Sequence, residues 1–335
     1  MTEIFGTLGP ACADEETLIR MFEAGMDGIR LNMSHTSLRK SSGLLAVYRN
    51  AAAQAQKKAE LLIDLQGPEI RIGTLCAPAV LHKDDLVLFA QEDGIPVPRS
   101  VAAAVCEGDE VLLDDGRIAG IAEEKKNGGF TLRITHGGSL ESRKSLKVRN
   151  RDIIGDALTE QDIENLKDAP AYGVTAVMEP FVTSGSQLRE VREKMRLCGC
   201  GDMRIFAKIE NMEGVRNIAD IIPEADMIVI ARGDLGNDMD LWALPAVQKE
   251  IEQACRRMNR DFLVVTQMLT SMIASPVPTR AEVSDIFNAV ADGAAAVMVT
   301  NETAAGAYPA EVIRYLKKTA EAAEQWIISH PDRHV

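Results

Sequence analysis

Short runs of apolar, β-prone residues recur along the chain, and longer segments with a helical spacing of apolar positions lie between them. Such alternation is typical of βα units whose parallel strands form one sheet. Eight strands are predicted, and each except the third is followed by a predicted helix. The predicted strands cover residues 4–8, 28–31, 61–65, 174–178, 204–208, 227–231, 262–266 and 295–299.

Eight βα units in about 250 residues favour an α/β fold of the (β/α)8, or TIM-barrel, type. A doubly wound parallel sheet is the alternative. In a barrel of this type the working residues lie at the carboxyl ends of the strands. Candidate catalytic residues are therefore expected at those strand ends.

The helical spacing disappears between residues 70 and 156, where short alternating strands are separated by turn signals. Asp114-Asp115-Gly116 and Asn127-Gly128-Gly129 are typical of hairpin turns. We therefore predict a small β-barrel-like domain at residues 70–156, inserted after the third strand of a catalytic barrel formed by residues 1–69 and 157–335. We expect the insert to act as a lid over the barrel mouth; a tolerated insertion without a role is the alternative.

Composition narrows the classes of partner. With 335 residues, of which 46% are hydrophobic, the chain can bury a large core. A net charge of −13 argues against a nucleic-acid backbone or an anionic membrane as the main partner. The six cysteines are scattered, and no apolar run approaches the ~20 residues of a membrane helix. The first residues lack a basic region and an apolar core, so we expect no signal peptide. We expect a cytoplasmic protein.

Polar and charged residues follow six of the predicted strands, as an active site at the carboxyl ends of a barrel requires. These segments are Arg30–His35, Asp64–Arg71, Lys208–Asn211, Ala231–Gly236, Thr266–Met268 and Thr300–Thr303. Arg30 and Arg71 suit phosphate oxygens, because a guanidinium group matches their geometry. His35 is open to a second interpretation, as an ordinary residue at a helix start.

Two carboxylates and a lysine are predicted to converge. Strand alternation places Lys208 and Glu210 on the same, barrel-lining side. Taken alone, that couple is better explained as a structural ion pair. Asp234, in a glycine-flanked loop after the neighbouring strand, changes this interpretation, because a second carboxylate can complete a two-carboxylate site for Mg²⁺. Gly233 and Gly236 allow backbone N–H groups to face an anion there.

Three hard oxygen donors, Asn32, Ser34 and Asp64, follow adjacent strands and suggest a second cation site. Turn or helix-capping roles for the asparagine and serine are the alternative.

These segments resemble the signature blocks of the pyruvate kinase family, in the same order and over nearly the whole chain. The run Pro276–Asp285 is especially similar to the family's sequence, and Val111–Gly116 resembles part of its inserted β domain. The resemblance implies a barrel with a lid, Mg²⁺ (or Mn²⁺) and K⁺ as cofactors, and transfer of the phosphoryl group of phosphoenolpyruvate to ADP in glycolysis.

The same resemblance implies roles for individual residues. Glu210 and Asp234 would bind the divalent metal, Lys208 and Arg30 would stabilise the charge in transit, and Thr266 would lie beside the carbon that is protonated. The residues implied to serve substrate and nucleotide phosphates are Arg30, Arg71, His35, Gly233, Asp234 and Thr266. Those implied to hold K⁺ are Asn32, Ser34, Asp64 and the backbone carbonyl of Leu65. Glu69 favours K⁺ dependence, because a carboxylate cannot supply the positive charge that a lysine would.

The chain also departs from the family pattern. It ends soon after the helix around Trp326–Ile328, so we expect no C-terminal regulatory domain and only weak cooperativity. Glu179–Thr183 stands where the family reads Ala-Ser-Phe-Val-Arg, and Gln66 replaces a lysine. Thr300–Glu302 replaces Ser-Gly-Glu, and Lys144–Arg149 is only loosely similar to Lys-Gly-Val-Asn-Leu-Pro. Most of these changes concern phosphate and nucleotide contacts.

Two other functions stay open at this point. One is an Mg²⁺-dependent oxo-acid lyase or aldolase on a related barrel, and the other is a degenerate metabolite-binding regulatory relative. Retention of Lys208, Glu210, Asp234 and Thr266 argues against the second. The expected partners are phosphoenolpyruvate or pyruvate and ADP or ATP, with a homodimer through the barrel helices compatible with the sequence.

Overall fold

The structure is a computed structural model, and it describes residues 1–34, 36–67, 70–91, 93–114, 116–126, 128–149 and 157–330. The chain divides into two compact units. The first unit comprises Met1–Gly67, Ala157–Leu235 and Trp242–Val335, and the second comprises Pro68–Asp156 and Gly236–Leu241. Glu69 and Asp156, at the predicted domain limits, lie outside the described residues.

The first part of the chain forms three strands and two helices of the first unit. They are β1 (Glu3–Thr7), α1 (Glu15–Glu23), β2 (Gly28–Asn32), α2 (Ser42–Gln54) and β3 (Glu60–Asp64). Helix α1 begins where Asp14 accepts a 2.8 Å hydrogen bond from the backbone N–H of Thr17, which satisfies one of the free donors of the first turn.

The second unit is mainly β structure. Its elements are β4 (Ala79–Leu81), β5 (Leu86–Ala90), β6 (Ile95–Pro96), α3 (Arg99–Ala104), β7 (Glu110–Leu113), β8 (Ile118–Lys126), β9 (Gly129–His136), β10 (Gly138–Leu140) and β11 (Leu146–Val148). They form a six-stranded sheet in the order β11-β7-β8-β9-β5-β6 and a two-stranded sheet of β10 and β4. The predicted hairpins are present, with Gly116 and Gly128 at positive φ in their turns. The short helix α3 was not predicted.

The rest of the chain alternates strands and helices. These elements are α4 (Glu160–Asp168), β12 (Ala176–Glu179), α5 (Gly185–Leu197), β13 (Arg204–Ile209), α6 (Met212–Arg216), α7 (Ile218–Ile221), β14 (Met227–Ala231), α8 (Arg232–Asn237), α9 (Leu244–Arg257), β15 (Phe262–Val265), α10 (Arg280–Ala291), β16 (Ala296–Met298), α11 (Asn301–Ala304) and α12 (Pro309–Ser329).

Eight parallel strands close into a barrel in chain order: β1, β2, β3, β12, β13, β14, β15, β16 and back to β1. The closing pair aligns Glu3 with Ala296 and Phe5 with Met298. The predicted TIM barrel with a β insertion after its third strand is therefore confirmed, and the doubly wound sheet is wrong, because an open sheet leaves its edge strands unpaired.

Apolar side chains at every second position of these strands fill the barrel interior. They are Phe5, Leu62, Ala176, Met178, Phe206, Met227, Val229, Ala231, Leu263, Val265, Ala296 and Met298. This layer fixes which residues further along each strand face the barrel axis.

No helix in the part of the chain that the structure describes is long and apolar enough to cross a membrane. The six cysteines are free thiols, and those of Cys12, Cys200 and Cys255 are buried.

Candidate active site

At the carboxyl ends of the strands, the apolar side chains of the barrel interior are followed by a layer of charged side chains. Leu62 and Phe206 belong to the apolar interior, so Asp64 and Lys208, two residues further along, face the same side. Glu210 follows by another two residues, as the sequence predicted. Arg30 reaches this layer from β2 and contacts the carboxylate of Asp64.

These four side chains form one ion-pair network. The Nζ atom of Lys208 lies 3.1 Å from Asp64 Oδ1, 3.2 Å from Asp64 Oδ2 and 3.0 Å from Glu210 Oε1. The Nη2 atom of Arg30 lies 2.6 Å from Asp64 Oδ2. Both carboxylates are buried, and the side chains of Arg30 and Lys208 are 14% exposed. The cations therefore lie in a region of low dielectric, where charge interactions are strong.

The network favours the charged forms of Asp64 and Lys208. Burial acts to raise the pKa of Asp64, but the attraction and hydrogen bonds of Lys208 and Arg30 outweigh it, so this pKa lies below its ordinary value. Burial acts to lower the pKa of Lys208, yet attraction by Asp64 and Glu210, with a smaller contribution from Asp234, raises it. Lys208 is thus a fixed positive charge rather than a proton donor or acceptor at neutral pH.

Asp234 lies at the end of β14, the strand beside β13. It follows the strand within the short helix α8 and not in the predicted loop, because helical geometry starts directly at Arg232. Its negative charge acts on Lys208, which indicates that it joins the same cluster. Three acidic side chains, Asp64, Glu210 and Asp234, therefore accompany two basic ones, Arg30 and Lys208, so the site has more carboxyl groups than basic groups.

The donor set fits Mg²⁺ or Mn²⁺. Within the described ranges no group of three or more His, Cys, Asp or Glu side chains forms a metal cluster. Two carboxylates suffice for Mg²⁺ when substrate oxygens and water complete its shell. Glu210 and Asp234, which follow the adjacent strands β13 and β14, would supply that pair. The Oε2 atom of Glu210 also accepts a 2.9 Å hydrogen bond from the backbone N–H of Phe181, which fixes the carboxylate plane.

The monovalent-cation candidates are neighbours in the sheet. Asn32 and Asp64 are paired residues of β2 and β3. The Oδ1 atom of Asn32 accepts a 3.0 Å hydrogen bond from the backbone N–H of Ser34, the turn role that the sequence left open. Leu65 continues β3, and its N–H donates to the carbonyl of Met178 at 3.1 Å. These oxygen donors suit K⁺ in kind.

Thr266 follows β15 in an uncommon conformation. The strand ends at Val265, so the prediction that it includes Thr266 is wrong. The φ angles of Thr266 and Gln267 are 78° and 57°, which breaks strand geometry. The carbonyl of Thr266 accepts a 2.9 Å hydrogen bond from Arg232 Nη2, and its methyl group packs against Gly233.

Of three further predicted phosphate or cation residues, one belongs to the second unit and two lie outside the described residues. Arg71 belongs to the second unit, where its Nη1 donates to the carbonyl of Arg143 at 2.8 Å. His35 and Glu69 lie outside the described residues. Their assignment to substrate or to K⁺ dependence stays a prediction.

Sequence reasoning missed a buried carboxylate that shapes the site. Asp162 on α4 accepts hydrogen bonds of 2.9 Å and 3.0 Å from the backbone N–H groups of Gln66 and Gly67, directly after β3. Thr159 and Asp162 also form a capping box. The spacing Thr-x-x-Asp before an apolar face is a sequence signal for such a cap.

A second buried carboxyl group belongs to Glu179, which the sequence showed only as part of the altered segment Glu179–Thr183. Glu179 at the end of β12 is fully buried. Its Oε1 accepts a 3.2 Å hydrogen bond from Gln187 Nε2, while its Oε2 has no hydrogen-bond partner among the described residues. Burial is the main cause that raises the pKa of Glu179 well above its ordinary value, so the group is neutral at a pH where Asp64 is charged.

Comparisons with known proteins agree with this geometry. The family described as pyruvate kinase, barrel domain, matches residues 1–313. Pyruvate kinase of Methylorubrum extorquens is 36% identical over 97% of this chain and 69% of its own length. Pyruvate kinases of Chlamydia trachomatis serovar L2 and Aeropyrum pernix are 34% and 35% identical over 98% of this chain, and over 70% and 72% of their own lengths. The chain therefore belongs to the pyruvate kinase family.

Proposed function

We propose that this chain transfers the phosphoryl group of phosphoenolpyruvate to ADP, giving pyruvate and ATP, as an enzyme of glycolysis. The observation that carries the proposal is the buried, ionised Lys208 held between Asp64 and Glu210 at the carboxyl ends of the barrel strands. Phosphoryl transfer requires positioning and charge neutralisation far more than covalent chemistry by the protein.

The chain's own residues supply most of that environment. Lys208 and Arg30 present fixed positive charge to a transferring phosphoryl group and to the enolate left behind, and they need no reorganisation when the charge moves. Glu210 and Asp234 would hold Mg²⁺ or Mn²⁺, which when bound neutralises phosphate charge and orients the reacting oxygens. The hydroxyl of Thr266 would lie beside the carbon that is protonated.

We further propose a K⁺ requirement. Asn32, Ser34, Asp64 and the carbonyl of Leu65 would hold the ion, and Glu69 would leave its positive charge unreplaced. Arg71, His35 and the backbone around Gly233 would contact substrate or nucleotide phosphates, and the second unit would act as a lid domain. The six free cysteines support a reducing compartment, and hence a cytoplasmic enzyme. A homodimer through the barrel helices fits this proposal better than a tetramer.

Neither alternative function gains support from the comparisons. All the relatives named above are pyruvate kinases, and the residues that a binding protein has no need to keep are present as a charge network.

The test is a direct assay of pyruvate formation from phosphoenolpyruvate with Mg²⁺, with and without each nucleoside diphosphate. Parallel reactions in tetramethylammonium buffer compare added KCl with none at constant ionic strength. We expect product only with a diphosphate and with K⁺. Product without any diphosphate would contradict the kinase assignment, and equal rates without K⁺ would contradict the monovalent site alone.

Variants of the metal ligands complete this assay. Glu210→Gln and Asp234→Asn should nearly abolish turnover and leave the fold intact, because each removes a charged ligand and no core packing. Glu190→Gln, at an exposed position of α5, is the matched control and should retain full activity.

A further inference from the structure

The run Pro276–Asp285, prominent in the sequence, has no role in the reaction described so far. It leads into α10, whose first turn is capped by Thr279 and Glu282. Two acidic side chains of α10 contact residues of the segments that follow β14 and β15. Glu282 accepts a 2.7 Å hydrogen bond from the backbone N–H of Ser271, and Asp285 pairs with Arg232.

The pair of Arg232 and Asp285 has the strongest geometry available to an ion pair. Nη1 and Nη2 of Arg232 donate to Oδ1 and Oδ2 of Asp285, both at 2.8 Å. Such a two-point contact fixes the plane of the guanidinium group. The Arg232 side chain is 12% exposed, and the Asp285 side chain is 35% exposed.

The same guanidinium group also donates hydrogen bonds to the backbone of Thr266. Nη2 and Nε of Arg232 donate to the Thr266 carbonyl at 2.9 Å and 3.3 Å. On the other side, a Cβ added to Gly233 would lie only 3.0 Å from the Thr266 methyl carbon. Thr266 is therefore confined between a charged hydrogen-bond donor and a glycine that leaves just enough room for it.

The contacts on both sides of Thr266 stabilise an unfavourable backbone conformation. A β-branched residue at positive φ is a genuine outlier, and Thr266 is followed by a second positive φ at Gln267. Strained backbone of this kind persists only where the surroundings over-determine it. Without its clamp, the segment would relax towards ordinary angles and the Thr266 side chain would point elsewhere.

We propose that Arg232 is a positioning residue for Thr266, with Asp285 as the anchor that orients Arg232. The consequence for the reaction rests on the function proposed above: the two residues set where the Thr266 hydroxyl stands when the enolate carbon is protonated. The conformational part stands on the geometry alone, and the two parts can be tested separately.

The conformational test is amide hydrogen exchange across residues 265–271 in the wild-type chain, Arg232→Lys and Asp285→Asn. Lysine keeps the charge but lacks the planar fork with which Arg232 contacts both Asp285 oxygens and the Thr266 carbonyl. We expect exchange in this segment to become faster by about tenfold, since a charged hydrogen bond is lost. Asp285→Asn, at a more exposed position, keeps the test open if Arg232→Lys does not fold.

The matched control is Arg192→Lys. Arg192 also pairs with an aspartate, Asp226, at 2.6 Å and donates to a backbone carbonyl, that of Met203, at 2.7 Å, on the outside of the barrel. It should leave exchange at 265–271 unchanged. Unchanged exchange in both test variants, or an equal increase in the control, would overturn the proposal.

The kinetic test separates positioning from general stability. In both test variants, turnover and the rate at which pyruvate methyl protons exchange with D₂O should fall together, while the KM for phosphoenolpyruvate stays close to wild type. A rise in KM with unchanged turnover would overturn the role in protonation. If the wild-type chain forms no pyruvate, the proposed function fails, and amide exchange still decides whether Arg232 positions Thr266.

Discussion

The ends of β12 and β13 lie side by side in the barrel, and each carries a buried glutamate in a different electrostatic setting. Glu210, after β13, contacts the Lys208 ammonium and accepts the Phe181 N–H. Glu179, at the end of β12, has a neutral amide as its hydrogen-bond partner and one oxygen with none among the described residues. One strand end holds a glutamate paired with a cation, and the other holds a glutamate whose pKa is raised by burial.

The alternation of side chains along each strand explains why the two glutamates differ. Met178 belongs to the barrel interior, so Glu179, the next residue, faces outward to Gln187 on α5. Glu210 lies an even number of residues from the interior Phe206 and faces the axis with Lys208. A shift of one position along a strand therefore decides whether a buried glutamate faces the cations near the barrel axis or the packing layer between strand and helix.

Lys208→Met should have the largest effect, because it removes the cation that balances the β13 end. Turnover should fall by about 10²-fold or more, as when a donor to developing charge is lost. Stability should fall by about 3–5 kcal/mol, because Glu210 and Asp64 lose a buried partner. Steady-state rates and chemical denaturation measure the two effects. The exposed Lys194→Met is the control, and wild-type turnover in Lys208→Met would contradict a catalytic role.

Glu179→Gln should stabilise the protein at neutral pH by about 1–3 kcal/mol, since an amide keeps the Gln187 contact and has no charge to suppress. The folded state raises the pKa of Glu179 above 4.5, so this carboxyl group favours folding below pH 4.5 and loses that contribution as pH rises towards its folded pKa. The gain from glutamine should therefore vanish near pH 4. Denaturant unfolding from pH 4 to 8 checks this, and a gain independent of pH would contradict a buried carboxyl group with a raised pKa.

Gln187→Met should have the smallest effect. It tests how much the hydrogen-bond partner of Glu179 contributes to stability. It removes the amide that donates to Glu179 Oε1. We expect a loss of about 1 kcal/mol, typical of a neutral hydrogen bond, with turnover unchanged. Combined with Glu179→Gln, the two changes should not be additive, because they act on one contact. Additive free energies of unfolding in the double variant would show that the two side chains act independently.

Much of the charged site could be predicted from local pattern. Alternation along β13 correctly placed Lys208 and Glu210 on one side of the strand, and turn signals located the hairpins of the insert. The role of Asp162 could not be predicted, because its hydrogen bonds to Gln66 and Gly67 join segments about a hundred residues apart. The positive φ of Thr266 carries no sequence signal, since threonine disfavours that conformation.

The amino-acid sequence by itself determined the order and type of the barrel elements and which side chains stand at the strand ends. These properties follow from the spacing of apolar residues, which is local. Only the tertiary structure decided that the sheet closes and that Lys208 meets Asp64, 144 residues away. It also decided that Arg232 holds a strained Thr266 and that burial raises the pKa of Glu179. Contacts between distant strands and the loss of water around a buried group produce these features, and neither is encoded by any single segment.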